Sequence, residues 1–357
     1  MENDKVSARF CTQDMHILFL TSSEEDYLSD SILIGMRNIL GVNCVDYPLR
    51  DILYKDCTKE SSARVRGNGF TLYTGSLRND AIDRFQIRPR LERGEFDLII
   101  ISDIWRQFGL FIQWRNYLTP SNTIILDGQD SDQLYPYAGF WWRRPYLWFV
   151  PRVTKDFLYF KREWTENSQF NIWHRLLPKS VRKFLPAAQN LRTISFAIPD
   201  SKIVTEIPIK TKRFARHIVD AEVAAQISDS SSNYAFKEEV NYYTDLQSSE
   251  YGITTKRAGW DCLRHYEIAA NGCVPCFRSL REKPTNCAPH GLIPMVNCIE
   301  YENYNDLIRK ISNISPEQYK KMATASIEWA KSNSCIKTAS KILDTWMKWK
   351  QIKNLQK

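Results

Sequence analysis

The chain has 357 residues, 43% hydrophobic and 25% charged, with 49 lysines and arginines against 41 acids for a formal net charge of +8. That length suits two domains of roughly 150 to 200 residues each, while the lack of any uninterrupted run of about 18 apolar residues excludes a membrane-spanning helix. The N-terminus lacks the basic-then-apolar pattern of a secretory signal, so the expected location is the cytoplasm, and nine cysteines, an odd number, argue against a disulfide framework.

Residues Met1 to Asp14 are polar and expected to fray. His16-Ile-Leu-Phe-Leu-Thr21 reads as a first strand, followed by a polar loop and a helix over Tyr27–Leu40 with Leu28, Ile32, Ile34 and Met36 among its apolar positions. Val42 to Tyr47 is a second strand, Phe96 to Ser102 a third and Thr123 to Leu126 a fourth. Near-continuous apolar strands alternating with helices imply a parallel sheet covered on both faces, hence an α/β lobe. Ligands of such sheets sit beyond the carboxyl ends of the strands. Those ends carry Ser102-Asp103 and Asp127-Gly128-Gln129-Asp130, although turn chemistry and helix capping are ordinary uses of aspartate there.

Residues 141 to 192 differ from the rest. They hold eleven lysines and arginines against Asp156, Glu163 and Glu166, an excess equal to the net charge of the whole chain, interleaved with aromatics such as Trp141, Trp148, Phe157, Trp164 and Trp173. Such a stretch suits an anionic bilayer surface or a pyrophosphate-linked lipid acceptor, or else aromatics that fill a core beneath surface cations. Nucleic acid is the least supported partner, because no RNA-binding or helix-turn-helix signature accompanies the charge. Within this stretch, Tyr159-Phe-Lys-Arg-Glu163 directs Lys161 and Arg162 towards a cleft as candidates for phosphate or acceptor binding.

Leu185 to Pro199 is the expected connection between two lobes. Beyond it, Lys202 to Ile209 reads as a strand, Ala215 to Ile227 and Phe236 to Gln247 as helices, and Gly252 to Thr255 as a strand. Thr255 to Cys276, TKRAGWDCLRHYEIAANGCVPC, is the most informative segment. Lys256 and Arg257 precede Gly259 in a strand-to-helix turn, where backbone N–H groups and the helix dipole favour a diphosphate. A helix follows over Asp261–Ala270, carrying Arg264 and Glu267 three residues apart, and Asn271-Gly272 stops it before a strand over Cys273–Phe277. Arg264 and Glu267 by themselves would be an ordinary surface pair. Cys273 and Cys276, with Cys262, His265, Cys287 and His290, offer a redox or zinc reading, but strand alternation sends residues three apart to opposite faces, and buried thiols are the preferred reading. A proline-rich loop spans Arg281 to Pro294, and Ser315-Pro-Glu-Gln318 opens a long helical tail through Trp346 and Trp349.

The Thr255–Cys276 segment resembles the donor-binding segment of GT-B glycosyltransferases, most closely the exostosin-like families with a pattern like RGW…R.YE.LA.GC.P. The resemblance covers about twenty-five residues of this chain. It implies two Rossmann-like lobes facing across a cleft: an acceptor-binding lobe over 1–190, a nucleotide-sugar-binding lobe over 191–335, and a C-terminal helix over 336–357 that crosses back to the first lobe. The implied activity is sugar transfer from a nucleotide diphosphate donor to a hydroxyl of a glycan or lipid-linked saccharide, with no cofactor and no bound metal. On this resemblance Glu267 contacts the ribose and Arg257 or Arg264 the phosphates, with Lys256 and Gly259 of the same turn also counted as donor-binding and Lys256 available, with the two arginines, to stabilise the leaving diphosphate. Many retaining members carry two glutamates separated by seven residues; counting back from Glu267 puts Gly259 where the first would be, which leaves the stereochemistry open. An inverting transfer needs a general base, for which Asp130 comes first, then Asp103 and Asp127. The rival readings are a glycosyltransferase acting on DNA or protein and a catalytically idle nucleotide-sugar-binding module.

Overall fold

The computed structural model describes residues 14–58, 60, 72–136, 154–169, 174, 176–182, 184–185, 188–232 and 235–355. The expected fraying of the first residues, and the first part of the basic aromatic stretch, residues 141–153, therefore lie outside the described residues.

In chain order the elements are β1 (Ile17–Leu20), α1 (Tyr27–Leu40), β2 (Cys44–Tyr47), α2 (Ile87–Glu92), β3 (Leu98–Ile101), α3 (Ile104–Gln113), β4 (Thr123–Asp127), β5 (Leu158–Lys161), α4 (Lys179–Arg182) and β6 (Leu191–Thr193). The second half adds β7 (Lys212–Phe214), α5 (Ala221–Ala224), α6 (Glu239–Ser248), β8 (Ser249–Thr254), α7 (Leu263–Ala270), β9 (Val274–Arg278), β10 (Ile299–Tyr301), α8 (Tyr304–Ser312), α9 (Pro316–Ser332) and α10 (Cys335–Leu355). Two parallel sheets result, one in the order β2-β1-β3-β4-β5-β6 and one in the order β10-β9-β8-β7. Strand alternation splits the first sheet's core in two: Ile17 and Phe19 face α1, and Leu18 and Leu20 face the opposite layer. Cys273 and Cys276 likewise enter separate clusters, and the cysteines of the described residues are free.

The first lobe matches its expectation closely at α1, whose bounds are those read from sequence, because Asp26 caps its start and the Arg37–Gly41 region closes its end. Two strands escaped the sequence reading. β5 ends in a buried lysine, and β6 is three residues long, so neither shows a clean apolar run. Since β6 pairs with β5, the first sheet runs through Thr193, three residues past the boundary drawn at 190.

The second lobe departs more. The expected strand over 202–209 does not form: Val204 N–H donates to the Ala270 carbonyl at the end of α7, and Pro208 has no N–H to give a ladder. The sheet instead takes β7, where Phe214 lies beside Tyr251. The expected helix over 215–227 shrinks to α5, because Asp220 caps that start and is fixed by Arg278 and the Tyr301 hydroxyl. The tail is two helices rather than one, broken at Asn333-Ser334, where Ile198 of the interlobe connection pairs with Asn333 and Cys335. Beyond that break α10 crosses back onto α1, and the indole N–H groups of Trp346 and Trp349 donate to the carbonyls of Ser121 (2.9 Å) and Pro120 (2.7 Å). Among the described residues no helix is long and apolar enough to cross a membrane.

Candidate active site

The carboxyl ends of both sheets converge on a cavity of about 610 Å³ between the lobes. From the first lobe it is lined by Glu25, Asp26, Tyr27, Arg106, Gly128 to Asp130, Arg162 and Phe196, and from the second by His217, Phe236, Tyr242, Arg257 to Gly259 and the first turns of α7 with Arg264 and Glu267. Most of them follow the carboxyl end of a strand, at Leu20, Ile101, Asp127, Lys161, Thr193, Phe214 or Thr254, whereas Tyr242 comes from α6 and Phe236 from the segment before it.

On the second lobe, Cys262 stands at the N-cap of α7 without a side-chain capping bond, so the first turn of the helix presents its amides to the cavity. Arg257 and Arg264 flank it. Lys256 does not line the cavity; its ammonium lies 5.0 Å from the centre of the Trp260 ring. Glu267, one helical turn beyond Arg264, accepts from the Tyr242 hydroxyl (3.3 Å), and burial lifts its pKa from 4.5 to about 7. Gly259 is required by a close approach: a Cβ there would overlap Glu163 Oε1 and lie 2.9 Å from Asp130 Oδ1. His265 faces away from the cavity, buried between Thr254 Oγ1 (2.8 Å) and the Trp260 carbonyl (3.0 Å). Its Nε2 donates to that carbonyl, and burial lowers its pKa to about 3, so it is a neutral structural residue. No group of three possible metal ligands forms among the described residues.

On the first lobe the expected residues separate. Asp127 is fully buried, bound to the Tyr159 hydroxyl (2.6 Å) and to Lys161 Nζ (3.0 Å), which is itself fully buried. This pair closes the ends of β4 and β5 and does not line the cavity, so neither residue is presented to a ligand. Asp103 caps α3, accepting from Trp105 N–H (2.9 Å), and pairs with Arg106 (3.2 Å); burial raises its pKa, but it too lies behind the cavity wall. Asp130 does line the cavity and is salt-bridged to Arg162. Arg162 is 1% exposed, and its five guanidinium hydrogens go to the Gly128 carbonyl twice, Asp130, Glu163 (3.0 Å) and the Asp261 carbonyl (3.1 Å), with its face over Phe196. Every donor is spent, so Arg162 joins the lobes instead of holding a free phosphate.

Asp26 was not among the sequence candidates. Its Oδ1 accepts from Leu28 N–H (3.0 Å) and Ser29 N–H (3.1 Å) as the cap of α1, and the same side chain lines the cavity. Burial first, and then the nearby Asp103, raise its pKa from 3.8 to about 7. The signal in the sequence was a capping aspartate at the carboxyl end of the first strand, which the reading passed over as loop. His217 was missed for another reason: it was assigned to a helix that does not form there, and it now lies 3.4 Å from Arg264 through Nε2.

Two parallel-sheet lobes that meet at a cleft, with the last helix returning to the first lobe, define the GT-B fold. A crystal structure of a glycosyltransferase from Rickettsia africae is similar with a TM-score of 0.52 at 10% identity, over 94% of this chain and 98% of that one. Anabaena HepE in complex with UDP-glucose (TM-score 0.48, 10% identity, 94% and 100% covered) and Acinetobacter baumannii MurG (0.39, 11%, 94% and 99%) are more distant likenesses. No protein-family model and no curated protein matches the sequence. At such identities what is shared is the fold.

Proposed function

We propose that this chain is a glycosyltransferase, moving a sugar from a nucleoside diphosphate donor to a hydroxyl of a glycan or lipid-linked saccharide in the interlobe cavity. The observation that carries this reading is the arrangement of the two walls: the open N-terminus of α7 with Arg257 and Arg264 on one side, and the carboxylates Asp26 and Asp130 on the other. In it, the helix amides and the two arginines hold the diphosphate and stabilise it as it leaves, without a metal. Glu267 accepts from the ribose hydroxyls, and His217 and Phe236 border the base. Asp26 is the general base, which makes the transfer an inverting one. Its Oδ2 is left over from capping, whereas Asp130 is engaged by Arg162, and a base with a pKa near neutrality is the most effective at neutral pH. The cytoplasm, with a peripheral contact to an anionic bilayer, belongs to the same reading, supported by Leu176 and Phe184, which are 72% and 89% exposed in a stretch that also carries Arg182.

Thermal unfolding of the purified chain against a panel of nucleoside diphosphates and nucleotide sugars tests the donor site. A ligand at about 100 times its Kd should add roughly 2.7 kcal/mol, selectively for one nucleotide and not in Glu267→Ala. No stabilisation by any of them would point to a different ligand, and stabilisation without transfer would point to an idle nucleotide-sugar-binding module.

A further inference from the structure

Glu267 is aimed by residues of another helix. Tyr242 and Tyr243 follow each other near the start of α6, and their hydroxyls donate to different oxygens of one carboxylate, Tyr242 to Glu267 Oε2 (3.3 Å) and Tyr243 to Glu267 Oε1 (3.5 Å). Tyr242 is 8% exposed, shares a core with Ala215, Leu246, Ile268 and Cys273, and packs its ring against those of Phe236 (5.7 Å between centroids) and Tyr243 (5.6 Å). A ring held on so many sides leaves its hydroxyl little freedom, so the hydroxyl fixes the carboxylate rather than following it. Each Glu267 oxygen thus takes one tyrosine hydrogen bond and keeps further acceptor capacity, and both Glu267 and Tyr242 line the cavity beside Arg264. The neighbours also bear on the charge of Glu267: burial raises its pKa to about 7, Arg264 lowers it, Glu239 raises it, and the Tyr242 hydroxyl and Lys202 lower it.

We infer that Tyr242 is a positioning residue for the donor: its hydroxyl holds the Glu267 carboxylate where both oxygens accept the vicinal hydroxyls of a ribose, so that a nucleotide lacking those hydroxyls is bound less tightly. This rests on the glycosyltransfer reading above and adds to it how the sugar of the nucleotide is selected. Hydrogen bonds to an ionised carboxylate are about twice as strong as neutral ones, and a vicinal diol offers two at once. A carboxylate already fixed by α6 needs no further ordering when the ribose arrives, whereas one freed from Tyr242 has to be ordered by the ligand.

The test measures the affinity of the full chain for the common ribonucleoside diphosphates and for their 2′,3′-dideoxy counterparts. Wild type is expected to favour the ribose form of the nucleotide that binds best by about tenfold or more. Tyr242→Phe keeps the packed ring and removes only the hydroxyl, so affinity for the ribose form should fall about three- to tenfold while affinity for the dideoxy form changes less than about twofold. In a Glu267→Gln background the same Tyr242→Phe change should have no further effect, because the group it positions is no longer a carboxylate. Equal losses for the two nucleotide forms would mean a structural role, no loss for either would mean that Tyr242 is dispensable, and an undiminished loss in the Glu267→Gln background would mean that Tyr242 meets the ribose directly; each of these overturns the inference while leaving the donor reading intact. Failure of wild type to bind any nucleoside diphosphate removes the donor reading itself, and this assignment with it.

Discussion

Asp26 serves two purposes at one position, and the substitution that separates them is conservative. Asparagine caps helices as well as aspartate does, so Asp26→Asn should keep α1 and the fold while losing the group that takes a proton. Transfer is expected to fall by about 10² to 10⁴ with donor KM within about twofold, read by steady-state kinetics, and wild-type kcat/KM should rise as pH passes through about 7. A kcat within a few-fold of wild type would return the role of base to Asp130. Glu267 gives a second pH effect, of opposite consequence for stability. Its folded pKa of about 7 exceeds the unfolded 4.5, so the native chain holds a proton that the unfolded chain has already released. Its contribution therefore falls as pH rises from about 4.5 to 7, by at most about 1.4 kcal/mol per pH unit. His265 and His290, lowered by burial to about 3 and about 4, act the other way below pH 6.5, so only the difference between wild type and Glu267→Gln isolates the glutamate. Urea midpoints at pH 5 and pH 8 should show wild type losing stability relative to the variant; parallel changes would contradict a raised pKa at this half-buried glutamate.

Among elements, α1 and α10 approach each other closely. A Cβ on Gly35 would overlap the Cys335 carbonyl oxygen and lie 2.7 Å from Ala339 Cβ, so Gly35→Ala must push the helices apart. Overpacking of this kind costs roughly 1 to 3 kcal/mol, measurable by urea unfolding, and a loss under about 0.5 kcal/mol would mean that α10 yields freely. That glycine was legible as a helix residue but not as a helix crossing, since nothing local says what lies against it. α7 and its turn were legible, because Gly259, Asn271-Gly272 and the apolar strand that follows are local signals. β5 was not, since its last residue is a lysine whose burial depends on Asp127, thirty-four positions away. Removing either partner would leave an uncompensated buried charge, which explains why the sequence carries an apparent polar interruption inside a sheet.

At the scale of the whole molecule, the segment after β5 fastens the lobes together. Glu163 Oε1 accepts from Asp261 N–H (3.1 Å), the Arg162 carbonyl accepts from Ala288 N–H (3.1 Å), and Asp261 receives the Phe196 amide (2.8 Å) and the Tyr266 hydroxyl (2.8 Å). Arg162, expected at first as a ligand for phosphate, is a tie between lobes, and Gly259 is small because that tie passes over it. Sequence alone determined the α/β class, the parallel strands, the start and end of α1 and the turn before α7, since hydrophobic period, capping and turn chemistry act over a few residues. Only the tertiary structure decided which carboxylates face the cavity and which are consumed by Lys161, Arg106 or Arg162, because burial and charge pairing arise between residues far apart in the chain.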